Sequence, residues 1–290
     1  LDKWIISELN TLISDVDNHY SNYDPTKAAR AISKFVQSYL SNWYVRLSRR
    51  RFWKGSYEKD KVSAYQTLFT CLLEIAKISS PIAPFFMDRM YKDLISNTKF
   101  VSEDSVHHTY FPLFQSELID ENLQFKIRKA QTICSLVLSL RKKEKIKVRQ
   151  PLNKIMIPFS STSEKNELKE ISDLIKTEVN VKKVELISNS SGILVKKVKP
   201  NYRSLGPKLG KSVSKVKTII EGFGDHEIHK IENGETIIIK IGSKEVKLEA
   251  NDFEIFSEDI EGWLVASEQG MTIALDITLN EQLVNEGISR

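Results

Sequence analysis

Residues 42–53, with the sequence Asn-Trp-Tyr-Val-Arg-Leu-Ser-Arg-Arg-Arg-Phe-Trp, combine arginine with aromatic side chains. The stretch 46–54 holds five basic side chains and no acid. Arginine forms bidentate hydrogen bonds with phosphate, and an exposed tryptophan offers a flat face for an unpaired RNA base. The alternative is that Phe52 and Trp53 pack beneath the helices while the arginines bridge acids on neighbouring helices. RNA contact is the favoured hypothesis, with the candidate residues Asn42, Arg46, Arg49, Arg50, Arg51 and Trp53.

A second basic stretch covers residues 139–149, where six basic side chains accompany one acid, Glu144. One interpretation is a phosphate-binding rim, in which Lys145, Lys147 and Arg149 contact the RNA backbone. The other is a solvated helix end, because cations are favoured electrostatically at a helix C-terminus. The sequence supports both interpretations equally.

A third basic stretch, residues 193–217, holds eight basic side chains and no acid. Its segment 206–212 suggests a nucleotide-binding P-loop. That motif needs four residues between its first glycine and its Gly-Lys-Ser, and only three intervene here. No strand with a suitably placed aspartate accompanies it, so ATP binding is disfavoured. A basic loop before a helix N-terminus can instead hold an RNA phosphate, which makes Arg203, Lys208 and Lys211 candidates.

Charge is segregated along the chain. The formal net charge is only +5, yet residues 221–286 contain 16 acids and 4 bases. The three basic stretches fit a polyanion partner, and the acidic stretch is not expected to bind that partner.

Other kinds of chemistry find little support in the sequence. The two cysteines, Cys71 and Cys134, lie far apart among apolar residues, which favours a reducing, cytoplasmic location over a disulfide scaffold. His226 and His229 lack the further ligands of a zinc site, and no nucleophile with a paired base stands out. No apolar run approaches the ~18 residues of a membrane span. We therefore expect no catalytic residue, no metal and no membrane contact within these 290 residues.

The elements that must position the first two basic stretches follow from hydrophobic periodicity. Apolar residues recur at helical spacing from Leu1, and Asp24-Pro25 ends that helix and begins the next, which extends to about Trp53. Further helices are predicted around residues 65–76, 84–95 and 119–143. Helices of this length with short connections predict an all-α antiparallel bundle over residues 1–148.

After Pro151 the pattern becomes that of an α+β domain, predicted over residues 149–290. Helices are predicted at 163–176, with Ser163 as the cap, and at 209–220. The Asn233-Gly234 pair predicts a hairpin between strands at 226–231 and 236–241. Further short strands are predicted at 154–159, 181–187, 193–198, 244–248, 252–256, 263–266 and 272–277, before a last helix at 279–287.

Several of these motifs resemble those of isoleucyl-tRNA synthetases, which belong to class I of the aminoacyl-tRNA synthetases. Residues 42–53 resemble a helix of the anticodon-binding domain, and residues 80–85 resemble a turn shared by the class I enzymes for branched aliphatic amino acids. The most specific match is Lys-Ile-Lys-Val-Arg-Gln-Pro-Leu at 145–152. Residues 199–211 match the branch of the family shared by eukaryotes and some bacteria. The resemblance covers essentially the whole chain.

The resemblance implies a monomeric chain that binds tRNA(Ile) and recognises its anticodon, as the C-terminal part of a ligase. That family activates isoleucine with ATP and Mg and transfers it to the tRNA. Its His-Ile-Gly-His and Lys-Met-Ser-Lys-Ser signatures are absent here, so we expect isoleucine, ATP and Mg to bind in a missing N-terminal catalytic part. The Cys-rich zinc module of many bacterial members is absent as well.

Two alternative hypotheses remain beside this one. The chain is either a free-standing RNA-binding or assembly module without enzyme activity, or an enzyme that uses the loop at 206–212. An upstream reading frame with the two ATP-site signatures would argue against the first alternative, and a test for ATP binding addresses the second.

Overall fold

A computed structural model describes the chain apart from residues 55, 97, 99–102, 189–195, 210–212, 233, 242–243, 258–261, 269–270 and 290. The described residues form two compact units, Leu1–Ile127 and Arg128–Arg290. The described part of the first unit is helical, and the second combines helices with small sheets. This order confirms the predicted fold class, an all-α region followed by an α+β region. The predicted domain boundary after residue 148 stays a prediction.

Helix α1 (Asp2–Ser21) lies at the centre of the first unit, where it packs against α2 (Pro25–Lys34) and α4 (Lys59–Ser79). Helix α4 packs in turn against α5 (Pro84–Ile95). Asp24 caps α2 by accepting a hydrogen bond from the backbone N–H of Lys27 at 3.0 Å. The Asp24-Pro25 pair correctly predicted that a helix begins at this point. The first residues of α6 (Glu121–Lys143) also belong to this unit.

The chain after α2 is not the single α-helix that the sequence predicted. A π-helical segment, Phe35–Val45, follows α2, and a turn at Ser48 precedes the short helix α3 (Arg49–Trp53). The i→i+5 bonds of a π-helix change the spacing of its buried face, so Phe35 and Leu40, five residues apart, are both buried. The hydrophobic pattern predicted a helix here and missed this local change of period.

The second unit contains a four-stranded sheet with the order β2-β1-β8-β7. Strand β1 (Leu152–Phe159) runs parallel to β2 (Val181–Ser188), and α7 (Thr162–Val179) connects them. The other two strands, β7 (Trp263–Glu268) and β8 (Met271–Asp276), complete the sheet in antiparallel pairing. The predicted helix cap Ser163 is wrong: Ser161 caps α7 by accepting from the backbone N–H of Glu164 at 3.1 Å.

Two smaller sheets share a second apolar core with three helices. Strand β3 pairs with β6, and β4 pairs with β5, all antiparallel. The buried residues around them include Val198, Leu205, Val216, Ile220 and Leu248. The elements are β3 (Lys196–Pro200), α8 (Tyr202–Leu209), α9 (Val213–Glu221), α10 (Asp225–Glu232), β4 (Ile237–Ile241), β5 (Lys244–Leu248) and β6 (Phe253–Ser257), with α11 (Glu281–Ser289) ending the chain.

The predicted hairpin through Asn233-Gly234 is wrong. Residues 225–232 form α10, and the partner of β4 is β5 rather than a preceding strand. Ile228 and Ile231, three residues apart, are both buried, which is helical spacing rather than the alternation of a strand. A second difference is α8, which occupies residues that the sequence analysis treated as a loop before a helix at 209–220.

Candidate nucleic-acid interface

Arg51, one of the predicted RNA contacts, is turned into the fold. Its Nη1 and Nη2 donate to the two carboxylate oxygens of Asp2, each at 2.7 Å, and its Nε donates to Oδ2 of Asp60 at 2.9 Å. The side chain is only 20% exposed. These bonds join α3 to the beginnings of α1 and α4, so the structure favours the alternative role of a bridge between helices. We leave Arg51 out of the proposed RNA contacts.

The Arg51 ion pairs also shift the titration of their partners. Hydrogen bonds from Arg51 lower the pKa of the Asp2 carboxyl, and the same bonds raise the pKa of the guanidinium. Burial raises the pKa of the Tyr44 hydroxyl, and a 2.8 Å hydrogen bond donated to Asp2 reinforces the shift. The positive charge of Arg51 is therefore balanced by carboxylates within the fold.

The neighbouring side chains of α3 face solvent. Trp53 is 82% exposed, and Arg49 and Arg50 are exposed as well. Neither arginine makes a side-chain hydrogen bond or ion pair within the part of the chain that the structure describes. Because Arg49 and Arg50 precede Trp53 by four and three residues, the three side chains share one face of the helix. That face offers two guanidinium groups beside an indole ring.

Phe52 differs from Trp53 although the two are adjacent. Its ring packs edge-on against Tyr65 at 5.2 Å and against Tyr44 at 6.5 Å between centroids. The hydroxyl of Tyr65 donates to the Phe52 carbonyl at 3.2 Å. The hypothesis that both aromatic residues pack beneath the helices therefore describes Phe52, whereas Trp53 is left for contacts outside this fold.

Asn42 and Arg46 precede the first residue of α3 by seven and three residues, and both are exposed. The Nε of Arg46 donates to the backbone carbonyl of Asn42 at 2.7 Å. This bond ties the guanidinium to the backbone of the preceding turn. The RNA-binding roles of Asn42 and Arg46 stay predictions.

The second basic stretch, residues 139–149, also contains both a buried cation and exposed ones. Arg141, in the last turn of α6, is 1% exposed, so it fits neither a phosphate-binding rim nor a solvated helix end. Lys145, Lys147 and Arg149 in the following loop are exposed and make no side-chain hydrogen bond or ion pair with the described residues. Lys145 has a φ of 56°, a left-handed conformation that turns the chain after the helix.

The third basic stretch lies against acidic residues. Strand β3 pairs with β6, and Nζ of Lys199 lies 3.0 Å from a carboxylate oxygen of Glu254. The segregation of charge along the sequence therefore does not persist in three dimensions, because the sheet brings part of the acidic stretch back to the basic one. This arrangement weakens the case for a polyanion surface along β3.

The structure describes the side chain of only one of the three candidate RNA contacts in that stretch. Arg203 is exposed at the beginning of α8, where its backbone N–H donates to the side chain of Asn201 at 3.1 Å. Lys208 belongs to α8, but its side chain lies outside the described part of the structure, as does the whole of Lys211. The roles of these three residues as RNA contacts stay predictions. The expectation that residues 206–212 do not bind ATP also stays a prediction.

The described residues give little support for membrane, metal or thiol chemistry. Within the described ranges, no helix has the length and apolar character that crossing a membrane requires. The same ranges hold no group of three or more His, Cys, Asp or Glu side chains that could bind a metal ion. Cys71 and Cys134 are both buried, and burial raises the pKa of the Cys71 thiol to about 12. A thiol that remains protonated at neutral pH is a poor nucleophile.

A helical unit that exposes arginines beside a tryptophan suits recognition of single-stranded RNA. Residues 2–157 match the family described as "Anticodon-binding domain of tRNA ligase". The match covers more than half of the chain, and the chain belongs to this family.

Relatives extend the likeness over the whole sequence. The chain is 47% identical over 290 residues to an isoleucine–tRNA ligase of Bacteroides thetaiotaomicron. It is 46% identical over 290 residues to the isoleucine–tRNA ligase of Porphyromonas gingivalis and 36% identical over 290 residues to that of Protochlamydia amoebophila. All of this chain is aligned in each case, but it spans only 25% to 28% of the length of these relatives.

Proposed function

We propose that the chain binds tRNA(Ile) and recognises its anticodon as part of an isoleucine–tRNA ligase. Such a ligase uses ATP to attach isoleucine to its tRNA. The full-length alignment with relatives named isoleucine–tRNA ligase supports the identity of the tRNA. Isoleucine, ATP and Mg would bind in parts of the ligase other than these 290 residues. A cytoplasmic location and a monomeric state stay predictions.

The observation that carries this proposal is that some side chains of α3 are held within the fold and others are exposed. Arg51 is saturated by carboxylates, and Phe52 packs against aromatic rings. Arg49, Arg50 and Trp53, on the same short helix, have no such partners among the described residues. Exposed, unpaired guanidinium groups beside an exposed ring match the two needs of RNA recognition, phosphate contact and base stacking.

The proposal is tested by the affinity of the chain for tRNA(Ile) and for the same transcript with its anticodon replaced. We expect tighter binding to the natural anticodon. Replacing both Arg49 and Arg50 by alanine should weaken binding to tRNA(Ile) and reduce the difference between the two transcripts. Arg89→Ala is the matched control, because Arg89 is an exposed arginine outside the basic stretches.

Equal affinity for the two transcripts would contradict anticodon recognition. Loss of affinity in the Arg89→Ala control equal to that in the double variant would contradict the assignment of the interface to α3.

The chain by itself should not activate isoleucine. An assay of isoleucine-dependent ATP–pyrophosphate exchange is expected to give the background rate, because the two ATP-site signatures are absent from the sequence. Exchange above background would contradict the assignment of catalysis to another part of the ligase. The same chain must bind tRNA(Ile) in a parallel measurement, which shows that the protein is folded.

A further inference from the structure

The buried guanidinium of Arg141 is surrounded by backbone carbonyls. Its Nη1 donates to the carbonyls of Gln150 at 2.9 Å and Lys147 at 3.3 Å. Its Nη2 donates to those of Val179 at 2.8 Å and Asn180 at 3.0 Å. One side chain therefore joins the loop after α6 to the segment between α7 and β2.

Asn180 completes this arrangement from the opposite side. Its Nδ2 donates to the carbonyls of Val148 at 2.9 Å and Arg149 at 3.1 Å. Together with the bonds from Arg141, the four consecutive carbonyls of residues 147–150 accept hydrogen bonds from two side chains. Asn180 has a φ of 50°, a backbone conformation that asparagine tolerates better than most residues.

The consequence for the loop is a fixed direction of its backbone. Because the carbonyls of residues 147–150 are held by Arg141 and Asn180, the loop presents its cationic side chains to solvent. Lys145, Lys147 and Arg149 are all exposed. A loop held in this way loses less conformational entropy when it binds a ligand than a flexible one does.

Among the residues that the structure describes, no acid forms an ion pair with Arg141. Its hydrogen bonds go to carbonyls, and burial lowers its pKa to about 10. A group with that pKa remains protonated near pH 7, so the guanidinium adds positive charge beneath the loop. An anion that approaches the loop meets three exposed cations above a buried one.

We propose that Arg141 is the positioning residue of a phosphate-binding loop, residues 145–149, in which Lys145, Lys147 and Arg149 contact the tRNA backbone together. Asn180 is its partner in holding the loop. The proposal rests on the proposed function, since the phosphates belong to the bound tRNA. It decides between the two interpretations of the second basic stretch in favour of the phosphate-binding rim.

A double-mutant cycle on tRNA binding tests the proposal. One set of changes replaces Lys145, Lys147 and Arg149 by alanine, and the other is Arg141→Lys, which keeps a charge but loses the planar fork. The loop variant should lower the salt dependence of log K by about 2–3, at 0.7–0.9 for each phosphate contact. Arg141→Lys should weaken binding about tenfold or more, because the loop must then be ordered on binding.

The coupling between the two changes separates positioning from a purely structural role. If Arg141 acts through the loop, Arg141→Lys should have little further effect on affinity once the three loop cations are gone. Losses that multiply independently would overturn the proposal. Leu168→Ala in α7 is the control, because it removes a buried side chain without touching the loop, and the folded fraction should bind normally.

Asn180→Gly provides a second variant if Arg141→Lys fails to fold. Glycine accepts the left-handed backbone but deletes both amide hydrogen bonds to the loop. Weaker binding that again depends on the loop cations supports the proposal, and unchanged affinity overturns it.

The alanine variant of Arg49 and Arg50 distinguishes two kinds of failure. If the unaltered chain does not bind tRNA(Ile), the proposed function is wrong. If binding depends on Arg49 and Arg50 but not on Lys145, Lys147 and Arg149, the proposed function stands and only the phosphate-binding loop is wrong.

Discussion

Arg51 in the first unit and Arg141 in the second are both turned into the fold, the first partly and the second almost completely buried, and the two are held in different ways. Arg51 of the helical unit is clamped by the carboxylates of Asp2 and Asp60. Arg141 of the α/β unit is held by the carbonyls of four residues. Carboxylates cancel the charge that they bind, whereas the carbonyls around Arg141 accept hydrogen bonds from its two Nη atoms and leave the net charge in place.

The comparison separates two uses of a basic stretch. In α3 the inward arginine secures the helix, and its neighbours Arg49 and Arg50 keep their charges exposed to solvent. After α6 the inward arginine secures a loop and still contributes to the positive potential of the surface. In both stretches, a count of basic residues therefore overstates the number that can contact a phosphate. The count also does not show that Arg51 is paired with carboxylates and Arg141 with carbonyls.

The largest expected effect is that of salt on tRNA affinity. Five exposed cations, Arg49, Arg50, Lys145, Lys147 and Arg149, lack partners within the described residues. Five phosphate contacts predict a loss of about 100- to 500-fold between ~50 and ~200 mM salt, at a slope of about 0.7–0.9 per contact. Filter binding across this range measures the slope.

Two variants test which arginines contribute to the dependence of tRNA affinity on salt. Removing Arg49 and Arg50 should lower it by about 1.5, whereas Arg51→Ala should leave the slope of the folded protein unchanged. A lowered slope in Arg51→Ala would contradict the distinction between inward and outward arginines.

The next effect is on stability. Arg51→Ala should lower the free energy of unfolding by about 1.5–3 kcal/mol, because charged hydrogen bonds to Asp2 and Asp60 are lost. Arg50→Ala should change it by less than about 0.5 kcal/mol, since the side chain is exposed. Urea denaturation measures both. Equal stability losses in the two variants would remove the basis for treating them differently.

A third comparison concerns Trp53 and Phe52. Trp53→Ala should weaken tRNA binding about 5- to 150-fold, the equivalent of one stacked base, and leave the melting temperature nearly unchanged. Phe52→Ala should instead cost about 1–3 kcal/mol of stability through its contacts with Tyr44 and Tyr65. Normal affinity in a folded Trp53→Ala protein would show that this ring does not stack on RNA.

The smallest effect is a dependence of stability on pH. Arg51 lowers the pKa of Asp2 in the folded chain, so the stabilisation is complete above the unfolded value of about 3.9. It is lost as the pH falls through the lowered folded pKa. We therefore expect Asp2→Asn to reduce the melting temperature at pH 7 and to have progressively less effect as the pH is lowered below about 4. A difference between the proteins that is constant down to pH 2 would contradict this linkage.

Local patterns predicted much of the fold. The recurrence of apolar residues at the 3.6-residue helical period located α1 and α5, and the Asp24-Pro25 pair located the beginning of α2. The Arg-Trp stretch of α3 was also visible in the sequence as a candidate RNA contact. The failures occurred where two local patterns compete: the Asn-Gly pair suggested a hairpin, but Ile228 and Ile231 belong to the buried face of α10.

The sequence by itself determined where the cations are concentrated and located helices such as α1 and α5, because charge counts and hydrophobic period depend on neighbouring residues. Only the tertiary structure decided what each arginine does. Among their partners, Asp2 lies 49 residues from Arg51 along the chain, and Asn180 lies 39 residues from Arg141. A guanidinium satisfied across such a separation looks the same in the sequence as one left for a phosphate, since the packing of distant elements sets which donors remain exposed.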